Sequence, residues 1–136
     1  MVVMALLSAA YLLIVFWLVF PYKTLVVHND PVPLISKEGK VYRGSIAGFN
    51  MKWTKYTSAG AKISRMLIYK ESKELVIIYS GASAVPPGEH DKIIVVPIPP
   101  WVPPGEAVLR TTYEYRVNPI RIVPVSWESQ EFEIVE

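Results

Sequence analysis

Two short clusters carry the side chains best suited to holding a metal ion: His28 with Asp30, and Glu89-His90-Asp91. A zinc site needs three or four converging His, Cys or carboxylate ligands. The chain has no cysteine and only two histidines, so either cluster would have to recruit distant carboxylates. Both sit in proline-flanked polar turns, where a solvated charge is the ordinary outcome. Nucleophilic chemistry has one candidate pair, Ser83 and His90, close enough in sequence to fold together. Ser83 lies in the small-residue stretch Gly81-Ala-Ser83 without an adjacent base, and no Gly-x-Ser-x-Gly elbow, phosphate-binding loop or dinucleotide fingerprint is present. The residues therefore point to a non-enzymatic protein with no catalytic set, no metal and no cofactor. A small envelope hydrolase using Ser83 or His90 is the weakest alternative.

Binding chemistry is better represented. Trp101, followed by Val102, stands in Ile98-Pro-Pro-Trp-Val-Pro-Pro104, where prolines on both sides stiffen the backbone. A preorganised aromatic loses little entropy on docking, so Trp101 and Val102 are candidate partner contacts; the opposing expectation is that Trp101 plugs an open end of the core. Lys52, Lys55, Lys62 and Arg65 concentrate positive charge that could meet anionic headgroups or an acidic partner, or could simply be a solvated sheet face. After Arg121 only acidic charges remain: Glu128, Glu131, Glu133 and Glu136. The formal net charge of +2 is too small and too dispersed to suggest a nucleic-acid partner.

These residues need elements to position them, and the pattern beyond Lys23 is that of strands. Phe49, Met51 and Trp53 alternate with Asn50, Lys52 and Thr54, and Leu109, Tyr113, Tyr115 and Val117 alternate with Arg110, Thr112, Glu114 and Arg116. Further strands are expected near 24–28, 63–69, 75–79, 92–98, 120–127 and 132–135, with Lys70–Glu74 as a hairpin. Pro86-Pro-Gly-Glu89 and Pro103-Pro-Gly-Glu106 repeat one turn in which a fixed φ precedes a glycine at positive φ. Pro97, Pro99 and Pro100 mark a strand leaving its sheet. Seven or eight short strands with frequent turns indicate one all-β antiparallel sandwich over residues 23–136.

Residues 1–22 differ in kind. Met1 to Phe20 contain no Asp, Glu, Lys, Arg or His, and about 20 apolar residues match the roughly 30 Å of a bilayer's hydrocarbon core. There is no charged n-region, and bulky Phe16, Trp17, Phe20 and Pro21 occupy the place of a cleavage site. An uncleaved transmembrane helix is expected, with Trp17, Tyr22 and Lys23 at the membrane interface.

The run PIPPWVPPGEAVLRTTYEYRVNPIR followed by VSWESQEFEI resembles the C-terminal half of fibronectin type III-like and immunoglobulin-like domains, in particular those of small membrane-anchored proteins of phages and prophages. The matching residues are Pro104, Gly105, Tyr115, Val117, Asn118, Pro119, Arg121, Phe132 and Ile134. No tyrosine follows Gly105 by two or three residues, where many such domains pin the corner, and the Cys…Trp…Cys core of antibody domains is missing. The resemblance implies an immunoglobulin- or fibronectin III-like sandwich on a single-pass anchor in the inner membrane or a virion membrane, with the domain on the periplasmic side, whereas the count of Lys23, Lys37 and Lys40 after the span slightly favours the cytoplasmic side. It carries over no catalytic residue. The expected function is protein binding or assembly at the membrane, as a phage accessory, through another envelope protein or self-association; the alternative is a structural subunit of a membrane-associated or virion assembly.

Overall fold

The computed structural model describes residues 1–19, 26–28, 31–36 and 38–136. Helix α1 covers Val2–Val19 and is followed by nine described strands. These are β1 (Val26–His28), β2 (Lys40–Tyr42), β3 (Ile46–Lys55), β4 (Ala61–Tyr69), β5 (Leu75–Ser83), β6 (Gly88–Pro97), β7 (Gly105–Asn118), β8 (Arg121–Glu128) and β9 (Phe132–Val135). One sheet has the order β1-β3-β6. The other runs β2-β9-β7-β4-β5, with β8 also paired to β7.

The alternation read from the sequence is the one the strands use. Phe49 and Met51 are buried, as are Leu109 and Tyr115. The two sheets meet through aromatic contacts: Phe49 lies 6.2 Å from Trp127 and 5.9 Å from Phe132, centroid to centroid. Leu67, Ile98, Ile134 and Val96 fill the space around them. One expectation is corrected. The sheets are not wholly antiparallel, because β2 runs parallel to β9. Gly39 allows this: its carbonyl accepts the Glu133 amide at 2.8 Å, and its φ of 67° turns the chain into β2.

β7 is the spine of the larger sheet. Its fourteen residues, at about 3.3 Å each, separate its ends by roughly 43 Å. β4 lies along one side of it; on the other, β9 pairs the first three residues and β8 pairs Arg110 to Asn118. Where β8 gives way to β9, Val32 bonds to both sides of Ser129, through Glu128 O at 3.0 Å and Gln130 N at 2.9 Å. Just after Val32, Ile35 N and Pro33 O bond β3, at 2.9 and 3.0 Å. The Val32–Ile35 segment thus ties one sheet to the other and closes that side of the sandwich. The opposite side, between the edge strands β5 and β6, is open.

Among the described residues no helix is long and apolar enough to cross a membrane, so the span expected over residues 1–22 is not shown. α1 has eighteen residues, about 27 Å at 1.5 Å per residue against roughly 30 Å of hydrocarbon. The shortfall lies in length, since no charge interrupts it. Its C-terminal turn meets the sandwich where Asn118 Nδ2 donates to the Trp17 carbonyl at 2.6 Å, satisfying one of the carbonyls that a helix end leaves unpaired. Tyr22 and Lys23, expected beside Trp17 at a membrane interface, lie outside the described residues, as does Asp30.

Candidate functional site

The Pro97–Pro104 loop caps the end of the sandwich at which β7 begins, the end opposite Asn118 and α1. Its backbone is held at both flanks. Ile98 exchanges hydrogen bonds with the β2–β3 turn: Gly44 N donates to Ile98 O at 2.9 Å, and Ile98 N donates to Ser45 O at 2.8 Å. Arg43 Nη1 donates to Val102 O at 3.2 Å, and its Nη2 meets Glu136 Oε1 at 3.2 Å. Tyr69 Oη donates to Pro103 O at 2.6 Å, and its ring lies where a side chain at position 105 would touch it. The corner that lacks a tyrosine of its own strand is therefore pinned by one from β4. Burial, with the nearby Glu74 carboxylate and against the opposing effect of Arg43, raises the Tyr69 phenol above its ordinary pKa.

Trp101 stands out from this frame, 63% exposed, while Val102 is fully buried. The two neighbours candidate for partner contact do different work. Val102 is the plug of the sandwich end, and its burial fixes the loop from which Trp101 projects. The expectation that both reach a partner is corrected for Val102, because a side chain at 0% exposure has no surface to offer. Prolines at 99, 100, 103 and 104 restrict φ on either side, so Trp101 is presented by backbone already ordered.

The four cations do not share a face. Lys52 lies on the outer face of β3 with Asp91 Oδ2 4.0 Å from its Nζ, and Lys62 is exposed on β4. Lys55 is buried at 4% exposure in the end of the inter-sheet space. It donates to the Val85 carbonyl and sits 5.4 Å from the Tyr115 ring centroid. Burial lowers its pKa; burial, and then the adjacent Tyr113, pushes the Tyr115 phenol up to about 12. Arg65 belongs to the inner face of β4, between Ile63 and Leu67. Its Nε is buried without an acceptor among the described residues, and its guanidinium carbon lies 5.2 Å from the Tyr79 ring centroid. A charge count along the chain merges these surfaces; the period-2 pattern Ala61, Ile63, Arg65, Leu67 was the signal that Arg65 points inward.

The histidines are brought onto one row of the smaller sheet, His28 opposite Trp53 and Trp53 opposite His90. A shallow concavity of about 600 Å³ includes both, with Lys52, Glu89 and Asp91. Trp53 stands between them and stacks on His90 at 4.9 Å. His28 Nε2 contacts Ser126 O at 3.0 Å and His90 Nε2 contacts Pro86 O at 2.9 Å. Among the described residues no three His, Cys, Asp or Glu side chains converge as metal ligands. Ser83 lines the narrow inter-sheet space beside Lys55 and Tyr115, whereas His90 is engaged with Pro86.

No family model and no curated protein matches the chain. Among solved structures it is similar to the sporulation control protein Spo0M from Bacillus subtilis, with TM-score 0.48 and 14% identity over 84% of this chain and 51% of that one. It is similar also to the DNA-bound alkylpurine DNA glycosylase AlkC from Pseudomonas fluorescens, with TM-score 0.44 and 12% identity over 84% of this chain and 31% of that one. A Niemann-Pick type C2 protein from the Japanese carpenter ant gives TM-score 0.44 and 10% identity over 82% and 90% of the two chains. The chain thus spans about half of Spo0M and about a third of AlkC. At such scores and identities these likenesses carry no argument for fold type or function.

Proposed function

We propose that this chain is a membrane-anchored β-sandwich whose far tip, carrying Trp101, binds another membrane or envelope protein. The observation that carries this reading is Trp101 itself: a large aromatic side chain exposed on a loop held by Gly44, Ser45, Arg43 and Tyr69. The anchor in this proposal is α1, whose exposed apolar side chains surround the whole helix and would be covered by lipid. The sequence stays apolar through Phe20, and twenty residues would reach about 30 Å. Trp17 near the helix end suits a headgroup level. The tip then stands roughly a β7 length, about 43 Å, beyond the anchored end, on the extracytoplasmic side.

The finer fold type, immunoglobulin- or fibronectin III-like, and a phage or prophage setting belong to the same proposal. They rest on the residues from Pro104 to Ile134 that resemble those domains. A second reading, a structural subunit of a membrane-associated or virion assembly, is favoured by edge strands such as β5 and β6, each paired on one side only among the described residues.

The test is to float native membranes, wash them with alkaline carbonate, and size the protein in mild detergent for wild type and Trp101→Ala. Both proteins are expected to stay with the membrane, the wild type in a larger particle than the variant. Release of the wild type by carbonate would overturn the anchor, and equal particle sizes would overturn the tip.

A further inference from the structure

We infer that the open side of the sandwich, between β5 and β6, takes an extended strand of a partner protein, which adds to the β5 edge and sets one carboxylate on Arg65. This site adjoins the Pro97–Pro104 loop, sharing Pro97 and Pro99 with it, but does not include Trp101 and does not depend on the membrane reading.

The two strands flanking this open side differ in how they are guarded. β6 carries Glu89, Asp91, Lys92 and Pro97, the kinds of residue that deter strand addition. β5 reads LVIIYSGAS, nine residues without a charge or a proline, and among the described residues pairs only with β4. Its outward Leu75 and Ile77 are 61% and 63% exposed. Nine residues span about 30 Å of unpaired backbone, a template for β-augmentation.

Beside this edge lies a groove of about 450 Å³, walled by Ile78, Val95, Val96, Pro97 and Pro99 and floored by Arg65. Arg65 comes to the groove because it pairs with Tyr79 of β5 where the β4–β5 register shifts. Gly81 leaves room for this, since a Cβ at that position would collide with the Tyr79 hydroxyl where the ring now stands. Tyr79 therefore folds back over Gly81 and under the guanidinium. The groove's described lining contains no carboxylate, and Arg65 forms no ion pair among the described residues. A guanidinium in apolar surroundings gains most from a carboxylate that reaches it out of water.

An added strand meets both demands at once. Alternate side chains would enter the groove, with one Asp or Glu at the level of Tyr79, and the others would cover Leu75 and Ile77. A second copy pairing through its own β5 supplies no acid for Arg65, because Leu75–Ser83 contains none. A small anion alone would leave the β5 edge and its exposed aliphatics uncovered.

The test uses the full chain in mild detergent and a capped peptide matching β5 in length, alternating Thr and Val with Glu in place of the central Val, alongside its Gln counterpart. The Glu peptide is expected to bind about tenfold more tightly, in keeping with a charge-assisted hydrogen bond. Arg65→Met should make the two peptides equal, and β5 amides should gain hydrogen-exchange protection in the complex. The comparison of peptides on the wild type stands even if the variant does not fold. Equal affinities on the wild type, protection confined to β6, a self-associated form that excludes the peptide, or binding of laurate without binding of peptide would each overturn the proposal.

Discussion

Tyr69 Oη donates a 2.6 Å hydrogen bond to the carbonyl of Pro103, two residues past Trp101, so the last residue of β4 pins the loop that projects the indole. Tyr69→Phe keeps the ring under Gly105 and removes only this bond. The expected cost is about 1 kcal/mol in urea denaturation, with faster amide exchange at Trp101 and Val102. Unchanged exchange there would mean the prolines alone hold the loop.

Trp101→Ala and Val102→Ala should separate by mechanism. The exposed indole can go with a stability change within about 0.5 kcal/mol while the larger particle is lost. Val102→Ala empties a fully buried position and should cost about 2 kcal/mol, from lost transfer energy plus the residual cavity. Equal destabilisation by the two variants would make Trp101 a core residue after all.

The buried end near Lys55 and Tyr115 should register in alkaline stability. Lys55 has a folded pKa below the ordinary value of 10.5, so the unfolded chain binds its proton more readily and stability rises as pH approaches 10.5. Tyr115 has the reverse sign. Its folded pKa of about 12 exceeds the ordinary 10.0, so its contribution is full below pH 10 and is lost as pH rises through 12. The loss is at most about 2.7 kcal/mol, at about 1.4 kcal/mol per pH unit. Urea denaturation from pH 9 to about 12 should show a smaller alkaline fall for Tyr115→Phe than for wild type, with Tyr69 contributing part of the remainder. An identical fall in both would refute the burial of the phenol.

Asn118 holds α1 through the Trp17 carbonyl and also accepts Ile120 N at 3.1 Å through its own side-chain oxygen. Asn118→Ala should free the helix from the β7–β8 turn. Because the chain has no cysteine, spin labels at Ser8→Cys and Glu114→Cys report the pair alone. Their distance distribution should broaden in the variant; an unchanged distribution would mean other contacts fix the helix.

The strands were legible because burial imposes period 2 on Phe49, Met51 and Trp53, and because Pro97 has no amide to continue a ladder. The closing segment Val32–Ile35 was not, since each of its bonds goes to a residue far away in sequence and leaves no local pattern. The parallel β2–β9 pair is hidden for the same reason. At the candidate sites, residue type left Trp101 between an exposed anchor and a plug of the sandwich end; the structure exposes Trp101 and makes Val102 the plug, because that choice depends on which way a proline-bound loop turns. Lys55 and Arg65 were read by charge when alternation already set them on inner faces.

In the proposed function the tip carrying Trp101, far from α1, is where a partner protein docks. A photo-cross-linking amino acid placed at position 101, and as a control at exposed Glu114 on the face of β7, tests it in native membranes. One discrete adduct of fixed mass is expected from position 101 and none from position 114. Equal labelling from both positions, or none from 101 in membranes that retain the protein, would contradict it.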